Sequence, residues 1–353
     1  MARRKAYKIK RFKNPYQRKS RKKTIKILLS ILAILLVFAI SFAGLGPLTD
    51  FLYNKIIETP SSSQSGDGSE SSTPTGETPK PETAVSSVFH LSEAELLAVE
   101  GYDALVARIK AGGYTSVILP LKTADTLYFS PTSRLGIRTK SESQSAAVIT
   151  EKLHAAGLKV IGTFETFMDN KLPRIVYTTE NISMAVRYAP NISYCVNTGT
   201  SENPTFWISP ASDKAQEYIV SLALDAKYTG VDEIIFKSFY FVESRFAYFS
   251  DNDAALDKQA VLSDVAAKLN AALGETAVSF EVDQKELISL NQNQYGMGLF
   301  NAPLVLNSPS LTDELKTALE NNSDRNITVN LTSATEEDLA FLKEKKINRV
   351  FVG

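Results

Sequence analysis

The chain has 353 residues, of which 44% are apolar and 22% charged, ordinary globular usage that excludes a wholly disordered, collagenous or coiled-coil protein. One cysteine, Cys195, excludes an intramolecular disulfide and a thiolate metal cluster, and with His90 and His154 as the two histidines neither a metal nor another cofactor is expected. The net charge of zero conceals a division: the first 49 residues hold 13 Lys/Arg and no Asp/Glu, which leaves 26 basic against 39 acidic groups in the rest.

Residues 1–26, MARRKAYKIKRFKNPYQRKSRKKTIK, form a basic tail. An apolar run follows at once, so topogenic charge and attraction to anionic lipid are expected of this tail, and no nucleic-acid partner. Residues 27–49 read as a transmembrane helix. From Ile27 to Leu48 no residue is charged, and at 1.5 Å per residue that stretch spans ~33 Å against the ~30 Å of a hydrocarbon core. The Lys/Arg flank keeps the N-terminus cytoplasmic and puts the acidic body outside the cell membrane. Ser41-Phe42-Ala43 offers the rival reading of a cleaved signal peptide, against which the basic region is long. Residues 50–86 read as a low-complexity linker: ETPSSSQSGDGSESSTPTGETPKPETAVS has almost nothing to bury, so disorder is expected.

From residue 87 to residue 353 short apolar runs alternate with amphipathic stretches. The runs are Ser87–Leu91, Thr115–Leu121, Lys159–Phe164, Glu233–Phe239, Val278–Asp283, Leu304–Asn307, Ile327–Leu331 and Arg349–Val352. Their Val, Ile and Phe content suits buried parallel strands. Helices are expected at Glu93–Lys110 after the N-cap Ser92, at Ser145–Ala156 ending at Gly157, at Ser212–Thr229 ending at Gly230, at Asp253–Leu273 ending at Gly274, and at Thr312–Asn321 and Thr335–Lys345. Gln284–Leu290 carries a weaker helical pattern. Eight strands alternating with helices predict an α/β protein, a (β/α)8 TIM barrel. The alternative is a doubly wound sheet, but the chain has neither G-x-G-x-x-G nor a P-loop.

Trp207-Ile208-Ser209-Pro210, a helix with Tyr218 and Ala223, and then Gly230-Val231-Asp232-Glu233-Ile234-Ile235-Phe236 resemble the glycoside-hydrolase-like (β/α)8-barrel domain family. That family has a W-x-x-P stretch, a helix, and a strand close to G-F-D-E-I-Q-F-D-Y-V-R-F-P. Tyr114–Lys122 and Val160–Asp169 resemble its second and third strands. The resemblance covers most of Ser87–Asp283 and implies a carbohydrate-directed barrel in a diverged form. Lys237 stands where the family has an aspartate, Tyr240 where it has an arginine, Pro120 for a second aspartate and Thr163 for a second arginine. Each lost group is one that sugar cleavage would be expected to use.

Alternation along the strands turns Ile235 and Lys237, Thr163 and Glu165, and Ser279, Glu281 and Asp283 toward the barrel axis. The candidate catalytic set is therefore Glu165 with Glu281 or Asp283, since glycoside hydrolysis usually uses two carboxyl groups ~5 to ~9.5 Å apart. Lys122, Lys237, Tyr240 and Asn307 are the candidate substrate-binding residues. Lys237 is expected to pair with one of these carboxylates and to hold it ionised. His90 is the one imidazole expected to reach the axis. The aromatic residues of the loops after the second, third and fourth strands could stack on sugar rings, but most are expected to pack the loops. The favoured reading is a membrane-anchored extracytoplasmic barrel that binds glycan, or scaffolds another envelope protein, with a degenerate catalytic site. The alternative is an active envelope glycan hydrolase.

The topology has a direct test. Protease added to intact cells should release the acidic body from the membrane fraction, and complete protection of that body would refute an external barrel.

Overall fold

The computed structural model describes residues 83–132, 145–173, 184–249, 255–282, 284–290 and 302–353. The basic tail, the apolar run at 27–49 and nearly all of the linker lie outside them, and no helix among the described residues is long and apolar enough to cross a membrane. Eight parallel strands close a barrel: β1 (Ala84–His90), β2 (Ser116–Lys122), β3 (Lys159–Glu165), β6 (Glu233–Lys237), β8 (Ala277–Val282), β9 (Leu304–Ser308), β10 (Ile327–Leu331) and β11 (Arg349–Val352). These are the eight predicted runs, with β1 starting earlier than expected, at Ala84. Each is joined to the next through at least one helix: α1 (Glu93–Leu97) and α2 (Tyr102–Ala111), then α3 (Ser145–Ala155), α4 (Asp213–Lys227), α5 (Lys258–Leu273), α6 (Gln284–Leu290), α7 (Asp313–Asn321) and α8 (Glu336–Glu344).

The helix ends follow local chemistry. Ser92 and Thr335 close capping boxes with Glu95 and Asp338, while Ser212 and Thr312 cap α4 and α7. Gly157 and Gly230 take φ of 78° and 86° just past α3 and α4, a left-handed conformation that costs glycine little. The helix predicted as continuous over 93–110 is broken: Ala98 leaves the helical region at ψ 60°, and a 3-10 turn over Val99–Gly101 precedes α2. The break lets the buried Tyr102 hydroxyl donate to the Leu96 and Ser145 carbonyls.

The predicted alternation holds. Ile234 and Phe236 are fully buried in the layer between strands and helices, whereas Ile235 joins Val88, Ile118, Ile161, Val305 and Phe351 in a separate apolar cluster inside the barrel. Gly162 lets β2 and β3 pack closely, since a Cβ there would meet Leu121 Cδ1 at 2.2 Å. Loop strands β4 (Arg187–Tyr188), β5 (Asn191–Cys195) and β7 (Ala247–Tyr248) form a small antiparallel sheet in the order β5-β4-β7. Beside it Trp207 is buried, as expected, and its indole Nε1 donates to Thr198 Oγ1 at 2.7 Å.

Below the apolar cluster the N-terminal end of the barrel is plugged by charge. The Glu233 side chain is 1% exposed. Arg349, on the strand diametrically opposite in the barrel order, grips both its oxygens at 2.6 Å. Lys159 Nζ adds a contact at 3.1 Å and Ser279 Oγ donates at 2.8 Å. Burial alone would raise the Glu233 pKa, but the Arg349 fork, Lys159 and Ser279 together bring it below the ordinary value. Asp232 is structural too: it accepts from the Val160 amide at 2.7 Å and lies 3.0 Å from His154 Nε2.

One wall is less covered than the rest. The outward residues of β2, Val117, Leu119 and Leu121, are fully buried, as are Ile234 and Phe236 of β6. On β1, by contrast, outward Val85 is 44% exposed and Phe89 is only half-buried. On the neighbouring β11, outward Val350 is fully buried and Val352 half-buried, so the lower cover is confined to β1.

Arg349→Met should cost about 3–5 kcal/mol in chemical denaturation, because it strands a buried carboxylate. The folded pKa of Glu233 is depressed, so its contribution is full above the ordinary carboxylate range and is lost as pH falls through the folded pKa. Acid titration of stability should therefore be shallower in Arg349→Met than in the unmodified chain.

Candidate functional site at the barrel mouth

The C-terminal ends of the strands open into a cavity of about 660 Å³. Its floor is apolar, with Val88, Ile118 and Ile235 from the inner cluster. Its walls are polar: His90 on β1, Thr163 on β3, Lys237 on β6, Glu281 on β8, Asn307 on β9 and Asn330 on β10. On β1, β3, β6 and β9 these are the inward positions that follow the apolar layer, and on β8 and β10 they follow the buried polar residues Ser279 and Thr328.

Four of the wall residues form a connected arc over four consecutive strands, β10, β9, β8 and β6, which Glu165 on β3 extends. Asn330 Nδ2 donates to Asn307 Oδ1 at 2.7 Å, and Asn307 Nδ2 donates to Glu281 Oε2. Lys237 Nζ lies 3.8 Å from the same Glu281 oxygen and 3.5 Å from Glu165 Oε1. Ser238 Oγ donates to Glu165 Oε2 at 2.6 Å. Ser238 holds φ at 50°, a strained value for a residue other than glycine. That backbone turn immediately after Lys237 brings the hydroxyl onto Glu165.

The ion pair expected for Lys237 is present, and it joins two carboxylates. Burial pushes the Glu281 carboxyl above its ordinary pKa; Lys237 opposes this, Glu165 adds to it, and burial prevails. Burial also holds the His90 imidazole below its ordinary value, with the Lys237 charge acting the same way and a hydrogen bond to Asn330 acting against it.

The other sequence candidates fall elsewhere. Glu165 is 13% exposed and lies behind Lys237, outside the cavity lining. Lys122 does not reach the mouth. A shift of register between Pro120 and Lys122 buries its ammonium, which donates to the carbonyls of Glu165 at 2.6 Å and Met168 at 3.2 Å and lies 3.5 Å from the buried carboxylate of Asp169. It ties β2 to the segment after β3. Tyr240 packs on Trp207 with ring centres 5.4 Å apart and is not among the cavity residues. Asp283 lies outside the described residues. Asn330 and His90 enter the lining although neither was a substrate-binding candidate; strand parity carries that signal for both. No cluster of three or more metal-ligating side chains occurs among the described residues.

Lys237→Met should lower stability by roughly 1–3 kcal/mol, since both carboxylates lose a counter-ion. It should also raise the Glu281 pKa further, measurable by NMR titration of the side-chain carboxyl. Adding Glu281→Gln should recover part of the lost stability, a coupling that a double-mutant cycle reads directly.

No protein-family model matches the chain, and no curated protein matches it. The family resemblance therefore rests on the residues quoted for it. Solved structures align with it in part. An α-galactosidase from Thermus thermophilus aligns at 12% identity and TM-score 0.48, over 77% of this chain and 59% of its own. A hypothetical protein from Ruminiclostridium thermocellum aligns at 18% identity and TM-score 0.46, over 54% of this chain and 96% of its own. The glycoside hydrolase domain of PelA from Pseudomonas aeruginosa aligns at 8% identity and TM-score 0.42, over 77% of this chain and 95% of its own. At these identities the likenesses say nothing about chemistry at the mouth.

Proposed function

We propose that the barrel mouth binds a glycan without cleaving it, and that the chain is a diverged member of the glycoside-hydrolase-like barrel family. On this reading residues 27–49 hold the barrel at the outer surface of a cell membrane, with residues 50–82 as the tether. The observation that carries the binding reading is the arc from Asn330 to Lys237. It sets amide donors, a carboxyl and an ammonium around a cavity with an apolar floor. Sugars present the matching surface, hydroxyls at the ring edge and C–H groups on the ring face.

The absence of cleavage is argued from Glu165. A two-carboxylate mechanism needs both groups at the scissile bond, one as acid and the other as base or nucleophile. Here Glu281 and Lys237 face the cavity, while Glu165 is held behind by the Lys237 ammonium and the Ser238 hydroxyl. A substrate oxygen would have to displace that ammonium before it reached Glu165.

A hydrolase is the second reading, and one observation favours it. The Glu281 carboxyl is held above its ordinary pKa, as a general acid requires. The two distances to Lys237 Nζ also limit the Glu165 and Glu281 oxygens to a separation of about 7 Å, within the span such pairs use.

A glycan array and a hydrolysis assay on the same preparation separate the two. Binding without turnover, weakened at least about tenfold by Asn307→Ala or Lys237→Met, is expected, in line with the loss of one or two good hydrogen bonds. Turnover that vanishes in both Glu165→Gln and Glu281→Gln would establish the hydrolase instead.

A further inference from the structure

The charged groups at the mouth do not balance. Two carboxylates, Glu165 and Glu281, share one ammonium, Lys237, at 3.5 Å and 3.8 Å. Glu165 is the closer of the two, and the Ser238 hydroxyl holds it in place. Glu281 is the acidic residue of the cavity lining. Its two contacts, from the Asn307 amide and from Lys237, both go to Oε2. Glu281 Oε1 makes no hydrogen bond among the described residues. His90 is no substitute for a counter-ion: burial, and after it the Lys237 charge, disfavour its imidazolium more than the Asn330 hydrogen bond favours it. The approach to the cavity carries more charge of the same sign. Ser308, Pro309 and Thr332 line the cavity, in loops that run into α7 and α8. The first turns of those helices present Asp313, Glu314, Glu336 and Glu337, all exposed and none in an ion pair among the described residues. Such acids suit helix N-termini, and together they make this side of the mouth attractive to cations.

We propose that the mouth takes a positively charged glycan, one that contains amino sugars with free amines, and seats a ligand ammonium on Glu281 Oε1. The proposal rests on the reading of the mouth as a glycan site and names the class of glycan. A ligand ammonium gives Glu281 the counter-ion that Lys237 only shares, and so favours the carboxylate against the burial that opposes it. Pairing with a cation is also stronger in a partly buried site than in open water. Lys237 does not forbid a second cation in the cavity, because Glu165 offsets its charge from behind. Asn307 and Asn330 remain to meet ring hydroxyls. A lysine-rich peptide would bring the same charge without those hydroxyls, so the amide groups of the wall favour the sugar.

The test is calorimetric titration of the full chain with matched pairs of oligosaccharides, β-linked glucosamine against N-acetylglucosamine and α-linked galactosamine against N-acetylgalactosamine, at a pH below the pKa of the free amine. In at least one pair the amine member should bind about tenfold tighter, an advantage that shrinks at high salt and as the pH rises through the pKa of the ligand amine. Glu281→Gln should bring the two members of that pair to within about twofold of each other. Asn307→Ala should weaken both and preserve the preference. Thermal midpoints verify that each variant is folded, and the salt and pH series on the unmodified chain stand without any variant. N-acetylated members that bind as tightly as their amine counterparts in every pair overturn the charged-ligand inference and leave the mouth reading standing. An amine preference that survives Glu281→Gln, or an oligolysine that displaces the amine sugar, puts the attraction on the acidic surface and overturns it as well. No binding by any oligosaccharide overturns both.

Discussion

The architecture depends on one ion pair, the fork between Arg349 and Glu233. A carboxylate that is 1% exposed cannot be ionised without a dedicated partner. The partner comes from the opposite side of the barrel, 116 residues away in sequence. A bidentate pair has little tolerance for sliding or tilting. It therefore fixes the relative height of β6 and β11, and the strands between inherit their register. The apolar layer of Ile235 and Phe351 sits one inward step above the pair, on the same two strands. The next inward step on β6 is Lys237 at the mouth.

Two buried acids in one barrel come out with opposite proton affinities, and geometry accounts for the difference. Glu233 and Glu281 are both pushed up by burial. Glu233 has a guanidinium on both oxygens, a lysine and a serine hydroxyl, and their sum exceeds the burial penalty. Glu281 has an amide and a share in one ammonium 3.8 Å away, which also serves Glu165. The second carboxylate adds repulsion, and burial prevails. The plug is satisfied in the folded chain alone. At the mouth the charges set against burial do not outweigh it.

Much of this was legible in the sequence because it depends on period. The eight strands, the capped helix starts and the inward placement of Ile235, Lys237, Glu281 and Asn307 follow from runs and alternation, which act over a few residues. What was not legible depends on distance or on a broken period. The partner of Glu233 could not be found by local reading, since Arg349 lies on the last strand. Lys122 was assigned to the substrate-binding set at the end of the second strand, but a register shift between Pro120 and Lys122 turns its side chain to Asp169. The small β5-β4-β7 sheet includes two strands of two residues each, too short to carry an alternation. The upward shift at Glu281 was not legible because a lysine neighbour is visible in sequence and desolvation is not.

The less covered face of β1 follows from the same construction. In a barrel of this kind each helix covers the groove between the two strands it connects. On the β11 side of β1 outward Val350 is fully buried, so the lower cover belongs to β1 itself. Fully apolar outward stretches such as Val117, Leu119 and Leu121 on β2 give way on β1 to Val85, Ser87 and Phe89. The β1–β11 ladder ends at Ser87, and β1 continues to His90 against β2. The rings beside that edge, Phe89 and Tyr114, stay half-buried and meet edge to face, because each covers part of the other where no aliphatic stretch does.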